Sequence, residues 1–244
     1  RRICIMYHDN IIRTVVANTP KHNTTDSFNT TATGVKVSGF ATGSNLICWP
    51  WEVSLPSPFD SSSHVAFVTY GDSKTASGTW QSGLASALTT ASGRTWFNTT
   101  VAHSAQSVAT MLSTYLTDDM AGMKVDPQYI LCDLGANDVQ ITMPAEATWK
   151  ANYLSIFDAM HAKVPTALIY VAKAWVRGED TDCNTLAGWI NDLIPQRDFL
   201  RAGHDESVWM KGSDNGATMT SDGVHYSAAG DAEVANQWKA VLGY

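Results

Sequence analysis

The sequence predicts an α/β protein: a central, mostly parallel sheet covered by helices, preceded by a small β-rich segment. Three observations lead there. From His64 onward, short apolar runs alternate with stretches whose apolar residues recur every three or four positions. Each helical stretch is long enough to cross back over a sheet, as parallel pairing requires. Clusters of Gly, Asp, Asn and Ser stand where two of the apolar runs end, and open parallel sheets carry their sites beyond the carboxyl ends of the strands.

The elements follow in order. Residues 1–62 differ from the rest and read as a β-rich appendage or the end of an upstream domain, with 63–244 as the main domain. In the first part, 11–16, 35–40 and 46–53 are β-type runs. Between them, 18–33 is mostly Thr, Asn and Ser and reads as loop, and Pro56 and Pro58 close the region. In the second part, 65–70 is a β-branched strand ending in Gly71-Asp72-Ser73, with a helix expected after Lys74-Thr75-Ala76. A weaker strand occupies 95–101. Val108, Met111, Leu112, Tyr115 and Leu116 then keep helical spacing. Residues 129–134 form a third strand. Trp149, Tyr153, Ile156, Phe157, Met160 and Val164 make the apolar stripe of an amphipathic helix. A fourth strand at 167–172, a helix at 186–194 stopped by Pro195, and a final helix at 228–242 complete the chain.

Composition excludes several classes of function. The chain of 244 residues is 44% hydrophobic and 16% charged, with a net charge of −7. An acidic chain without a run of Lys and Arg is no nucleic-acid surface. No apolar stretch approaches the ~20 residues of a membrane-spanning helix. Four cysteines, Cys4, Cys48, Cys132 and Cys183, lie far apart with no C-x-x-C spacing, so neither a zinc site nor a dense disulfide framework is implied. A Cys4–Cys48 bridge is open to the chain in an oxidising compartment, and Cys132, inside an apolar run, reads as a buried small hydrophobe. Walker, G-x-G-x-x-G, H-E-x-x-H and G-x-S-x-G patterns are all missing from the sequence, so no nucleotide, metal or other cofactor is called for.

Three short motifs carry the chemistry. Gly71-Asp72-Ser73 puts a hydroxyl and a backbone N–H at a strand-to-helix turn, where a nucleophile or an oxyanion donor could act. On its own it reads equally as a turn and a helix cap. Gly135-Ala136-Asn137-Asp138 sets an amide at the end of the third strand, able to donate to a developing oxyanion. Asp222-Gly223-Val224-His225 brings a carboxylate within reach of an imidazole, which fixes the tautomer of a histidine acting as base. Asp158 and His161 repeat that spacing but fall off the apolar stripe of their helix and read as a solvated face. From average composition, the three motifs coincide by accident less than about once in a thousand chains of this length.

Together the motifs resemble those of the SGNH (GDSL-type) hydrolase family over residues 64–244. The resemblance implies a flavodoxin-like three-layer α/β/α sandwich and ester hydrolysis through an acyl-enzyme. It implies Ser73 as nucleophile, His225 as base and Asp222 as its orienting carboxylate, with Asn137 and the Ser73 N–H as oxyanion donors. One block departs from the family pattern. Where the family carries a glycine whose N–H completes the oxyanion hole, residues 98–104 contain none. Ala102 or His103 is expected to stand in its place.

Substrate is less sharply marked. Nine tryptophans, and the segment 201–220 leading into the Asp-His turn with His204, Trp209 and Lys211, favour aromatic contacts with sugar rings and hence acetylated or otherwise acylated glycans. A broad short-chain carboxylesterase or arylesterase is the nearest alternative. A reading of another class is a glycan-binding or structural module of a surface or tail fibre, built on a degenerate hydrolase. His8, His22, His64 and His204 show no ligand spacing and read as surface or capping residues.

Overall fold

The computed structural model describes the strands at 2–8, 11–17, 27–29 and 36–38 as backbone, and residues 63–123 and 126–244 in full. In the N-terminal part, β1 (Arg2–His8) pairs antiparallel with β2 (Ile11–Ala17), and β3 (Ser27–Asn29) pairs antiparallel with β4 (Lys36–Ser38). β2 and β4 fall within expected strands, whereas β1 is additional and β3 lies inside the stretch read as loop. The strand expected at 46–53 and residue Cys48, and with it the Cys4–Cys48 pairing, lie outside the described residues.

The main unit is built on five strands in the order β6-β5-β7-β8-β9, all parallel. They are β5 (His64–Gly71), β6 (Thr95–Ala102), β7 (Tyr129–Asp133), β8 (Leu168–Lys173) and β9 (Leu200–Asp205). β5 is an interior strand buried on both faces, which is why its sequence is a nearly continuous apolar run. β9 was not anticipated. Its residues, Leu-Arg-Ala-Gly-His-Asp, carry charge and a glycine, a composition tolerated at a sheet edge where one side lacks a neighbour.

Helices cover both faces. On one side, α2 (Trp80–Ser92) and α9 (Ala228–Val241) pack Trp80, Leu84, Leu88, Val234 and Trp238 against Val65, Phe67, Trp96 and Leu131. On the other lie α6 (Glu146–Lys163) and α7 (Asp180–Leu193), together with a composite helix. The composite runs from α3 (Val108–Thr110) through a π-helical turn (Met111–Tyr115) into α4 (Leu116–Gly122). The stripe read along 149–164 is buried in full, and Tyr153 of α6 meets the Sγ of buried Cys132 at 3.3 Å. The three-layer α/β/α sandwich is therefore the observed fold. The helix expected after Ala76 is two, α1 (Ser73–Ser77) and α2, separated at Gly78. No helix among the described residues is long and apolar enough to cross a membrane.

Local sequence sets the helix ends that matter for the site. Ser107 and Ser227 cap α3 and α9 by accepting from the N–H of Thr110 and Gly230. Gly71, the last residue of β5, sits against its neighbours so closely that a Cβ there would collide with the Asp133 carbonyl oxygen and the Thr75 side chain. That contact lets α1 turn directly off the strand. Gly71→Ala is expected to cost about 1–3 kcal/mol by overpacking. Gly188→Ala, inside α7 with open space around it, should instead stabilise by about 0.4–1 kcal/mol. Denaturant unfolding of the two variants checks both signs.

Candidate active site

Three turns beyond the strand ends form one open cleft of about 580 Å³. It is lined by Ser73, Ser77, Ser104, Ala105, Asn137, Gln140, Ser221, His225 and Tyr226. The first turn follows β5. Asp72 caps α1 by accepting from the Lys74 N–H at 3.1 Å, which leaves Ser73 as the first helical residue, half-buried and facing the cleft.

The second turn precedes α9. Ser221 N–H donates to the His225 carbonyl at 2.9 Å, and Gly223 takes φ 95°, closing a tight reversal. Arg177 clamps it from outside: its N–H donates to the Gly223 carbonyl, and its guanidinium donates to the Thr220 hydroxyl and the Asn215 carbonyl. Inside this turn one Asp222 oxygen accepts from the N–H groups of Val224 and His225 at 2.9 and 2.8 Å. The other meets His225 Nδ1 at 2.6 Å, and His225 Nε2 lies 2.9 Å from Ser73 Oγ. A carboxylate at Nδ1 holds the proton on that nitrogen, so Nε2 is the acceptor facing the serine hydroxyl. Burial works against the charged form of Asp222. The bonds from the His225 ring and the two N–H groups outweigh it and hold the carboxyl at about 2.

The third turn follows β7. Gly135 takes φ 133° and opens α5 (Ala136–Ile141). Asn137 Nδ2 donates to the Gln106 carbonyl at 3.1 Å, and Asp138 Oδ2 accepts from the Val108 N–H at 3.0 Å. Both residues thus tie α5 to the segment after β6. Within that segment Ala105 takes φ 60°, a left-handed conformation rare for a residue with a Cβ.

The structure brings Ser73, Asn137, Asp222 and His225 together and places Ala102 and His103 apart from them. Ala102 ends β6 in register with Gly71, and the His103 N–H is committed to the Gly71 carbonyl at 3.1 Å. The His103 ring binds Asp119 at 2.8 Å and stacks on Tyr115. Neither residue lines the cleft; Ala105 does. Its positive φ is a glycine-like conformation, which a single sequence does not display when alanine adopts it. Asp158 and His161 are apart from the site: Asp158 pairs with Arg197 and His161 stacks on Phe199. His204, read as surface or capping, is in fact buried, with Trp209 Nε1 donating to its Nδ1 at 3.3 Å. Among the described residues, no tryptophan lines the cleft. Trp80, Trp96, Trp149, Trp175 and Trp238 are core residues, because burying a large ring contributes more to the fold than exposing it. Among the described residues, no group of three His, Cys, Asp or Glu side chains is placed to hold a metal ion.

The sequence matches no family model and no curated protein. Solved structures do match the fold. A carbohydrate esterase of family 3 from Talaromyces cellulolyticus is 18% identical with a TM-score of 0.60, over 73% of this chain and 96% of that one. An acetyl xylan esterase is 17% identical with a TM-score of 0.61, over 72% and 100%. An acetyl esterase variant with an acetate ion is 18% identical with a TM-score of 0.61, over 73% and 96%. At this identity the likeness establishes a shared architecture.

Buried acids surround the turns. Burial pushes Asp72 and Asp138 up to about 6 against the pull of their backbone N–H partners, and it also raises Asp133 and Glu206. A carboxyl whose folded value lies above its unfolded value stabilises most below about pH 4, and that contribution is lost as pH rises through about 6. Buried His204, lowered to about 3, has the opposite slope over the same range, but it is one group against several. The melting temperature is therefore expected to fall between about pH 4.5 and 6.5. Asp138→Asn should make that fall shallower, as thermal melts across the range will test.

Proposed function

We propose that the protein hydrolyses short-chain acyl esters, acetylated carbohydrates foremost, through an acyl-enzyme on Ser73. We assign this chemistry to residues 63–244, with 1–62 as an appendage. The observation that carries the reading is the relay Ser73–His225–Asp222, closed at 2.9 and 2.6 Å in an open cleft beyond the strand ends. The chemical class named for the structural neighbours, acetyl and carbohydrate esters, supports it. So does the cleft lining, in which six of nine residues carry a hydroxyl or amide on a short or uncharged side chain, beside His225, Ala105 and the ring of Tyr226. Such a surface suits a polyhydroxylated alcohol and a small acyl group, and offers little to a long alkyl chain.

In this reading Ser73 Oγ attacks the ester carbonyl carbon while its proton passes to His225 Nε2, and Asp222 stabilises the resulting imidazolium. Negative charge moves to the carbonyl oxygen. The N–H groups of Ser73 and Ala105 and the Asn137 amide are the donors for it. Ala105 supplies a backbone N–H, for which the absent glycine is not essential. Collapse breaks the bond to the alcohol, which leaves with the proton from His225. A water molecule then attacks the acyl carbon, gives its proton to His225, and releases the carboxylic acid as Ser73 recovers its hydrogen.

Ser73→Ala should abolish hydrolysis of p-nitrophenyl acetate while the fold persists, and a serine-directed phosphonate should label Ser73 alone. Asp222→Asn should lower kcat by up to ~10⁴-fold, whereas Asp158→Asn should leave it nearly unchanged. Acetylated xylo-oligosaccharides should be better substrates than p-nitrophenyl octanoate. Stoichiometric labelling at another serine, or glycan binding by a wild type that turns nothing over, would sink the reading.

The donors separate from one another by a second set. Asn137→Ala should lower kcat by ~10²–10³-fold with little change in KM. His103→Ala should cost far less, since its N–H belongs to the sheet. Ala105→Gly relieves a left-handed alanine, worth roughly 1 kcal/mol, and should raise the melting temperature. Equal kcat losses for His103→Ala and Asn137→Ala would return the imidazole to the site.

A further inference from the structure

Directly behind the relay the protein buries a set of ionisable side chains that the reaction itself does not use. Lys74 follows Ser73 in sequence but turns away from the cleft. Its side chain is 0% exposed. The ammonium pairs with the Glu206 carboxylate, donates to the Trp175 carbonyl at 3.3 Å, and lies 4.8 Å from the centre of the Tyr226 ring. Tyr226 follows His225 in sequence; it borders the cleft, and its hydroxyl is the part directed inward. Its hydroxyl donates to Asp133 Oδ2 at 2.8 Å and is shared with Glu206 Oε1. Glu206 opens the short helix α8 (Glu206–Trp209) after β9, and its second oxygen also accepts from the Trp175 N–H at 2.7 Å.

The pattern of connection is specific. The residue after the nucleophile and the residue after the base, 152 positions apart like the two they follow, meet on one carboxylate. Asp133 adds the end of β7, and Trp175 adds the segment after β8. The cluster thereby joins the serine turn, the histidine turn and the ends of three strands. Burying an ammonium among carboxylates is costly, and well-packed apolar side chains usually fill such space at no loss of stability. A fully bonded buried network does supply something an apolar filling does not: a single arrangement of the elements it joins.

We infer that Lys74, Glu206 and Tyr226, with Asp133, form a positioning cluster that fixes the serine turn against the histidine turn so that Ser73 Oγ and His225 Nε2 stay within hydrogen-bond reach. None of these groups touches the reacting atoms. Each acts through the neighbour it holds. The inference rests on the relay proposed above. A displacement of about 1 Å in such a relay can cost ~10²-fold in rate. Through that positioning the cluster acts on kcat more than on KM, although the Tyr226 ring also borders the cleft.

The test compares wild type, Tyr226→Phe, Lys74→Met and Ser73→Ala, each well below its own melting temperature. It measures kcat and KM for p-nitrophenyl acetate and the rate of Ser73 labelling by a fluorescent phosphonate. Tyr226→Phe removes one oxygen and keeps the ring beneath Lys74, so it reports even if Lys74→Met does not fold. The expected result is a loss of ~10–100-fold in kcat and a matching fall in labelling rate, with KM within about threefold. Glu206→Gln should behave as Lys74→Met does. Variants that melt lower yet keep wild-type kcat and labelling would reduce the cluster to core filling and overturn the proposal. A wild type without Ser73-dependent turnover would instead bring down the hydrolase reading and the cluster's role with it.

Discussion

Parallel pairing of β5 with strands on both sides is the constraint on which the site depends. In one register Gly71 stands level with Ala102 of β6 and with Asp133 of β7. Three chain segments therefore leave the sheet at the same height. Ser73 lies two residues past that line, Ala105 three, and Asn137 four, so residues from three separate motifs reach one edge without any long loop. The histidine turn is the exception. It comes from after the last strand and has to be brought over, which is the task of the Arg177 clamp and the bonds within Ser221–His225. A one-residue slip in the β5–β7 register would also reverse which face Leu131 and Cys132 present, so the packing of both cores enforces the alignment of the site.

The motifs were legible because turn chemistry is local. Gly-Asp-Ser, Gly-x-Asn-Asp and Asp-x-x-His each state their geometry within four residues, and the apolar periods on either side identify them as strand or helix ends. What escaped the sequence depends on neighbours far along the chain. β9 becomes a strand because β8 offers it an edge, not because Arg201, Gly203 and His204 favour extension. His204 looks like a surface residue until Trp209 and Trp238 close around it. Nothing local to Lys74 reveals the carboxylate that waits 132 positions away. Ala105 hides for a different reason: its backbone angle, not its side chain, is the feature of interest. The described tryptophans show a simpler limit, five of them being buried in the core. Abundance of a residue says how much area it can bury, and says little about where.

Electrostatics and packing pull in opposite directions around Ser73. Asp72, Asp133 and Glu206 are buried within one small region with Lys74 as the cation facing them. Ionised carboxylates without water repel one another, and the region is held by specific bonds rather than by apolar area: the Lys74 N–H on Asp72, the Tyr226 hydroxyl between Asp133 and Glu206, the Trp175 N–H on Glu206. The apolar helices on the two faces carry the stability that such an arrangement consumes. Asp222, by contrast, is largely exposed, and its charge is kept by three donors from its own turn. The relay therefore draws its charged end from a self-contained loop and its rigidity from the interior.

In the proposed reaction, the openness of the cleft decides the fate of the acyl group carried by Ser73. Its walls are short side chains, Ser77, Ser104, Gln140 and Ser221 among them, and His225 itself is only half-buried. An intermediate in such a place is bathed in bulk solvent from the side on which His225 works. Water is then the acceptor in greatest supply at every moment, and a departing alcohol drifts off before it can return. If Ser73 is the nucleophile as proposed, architecture of this kind partitions toward hydrolysis over acyl transfer between alcohols, through simple access and with no selectivity built for water itself.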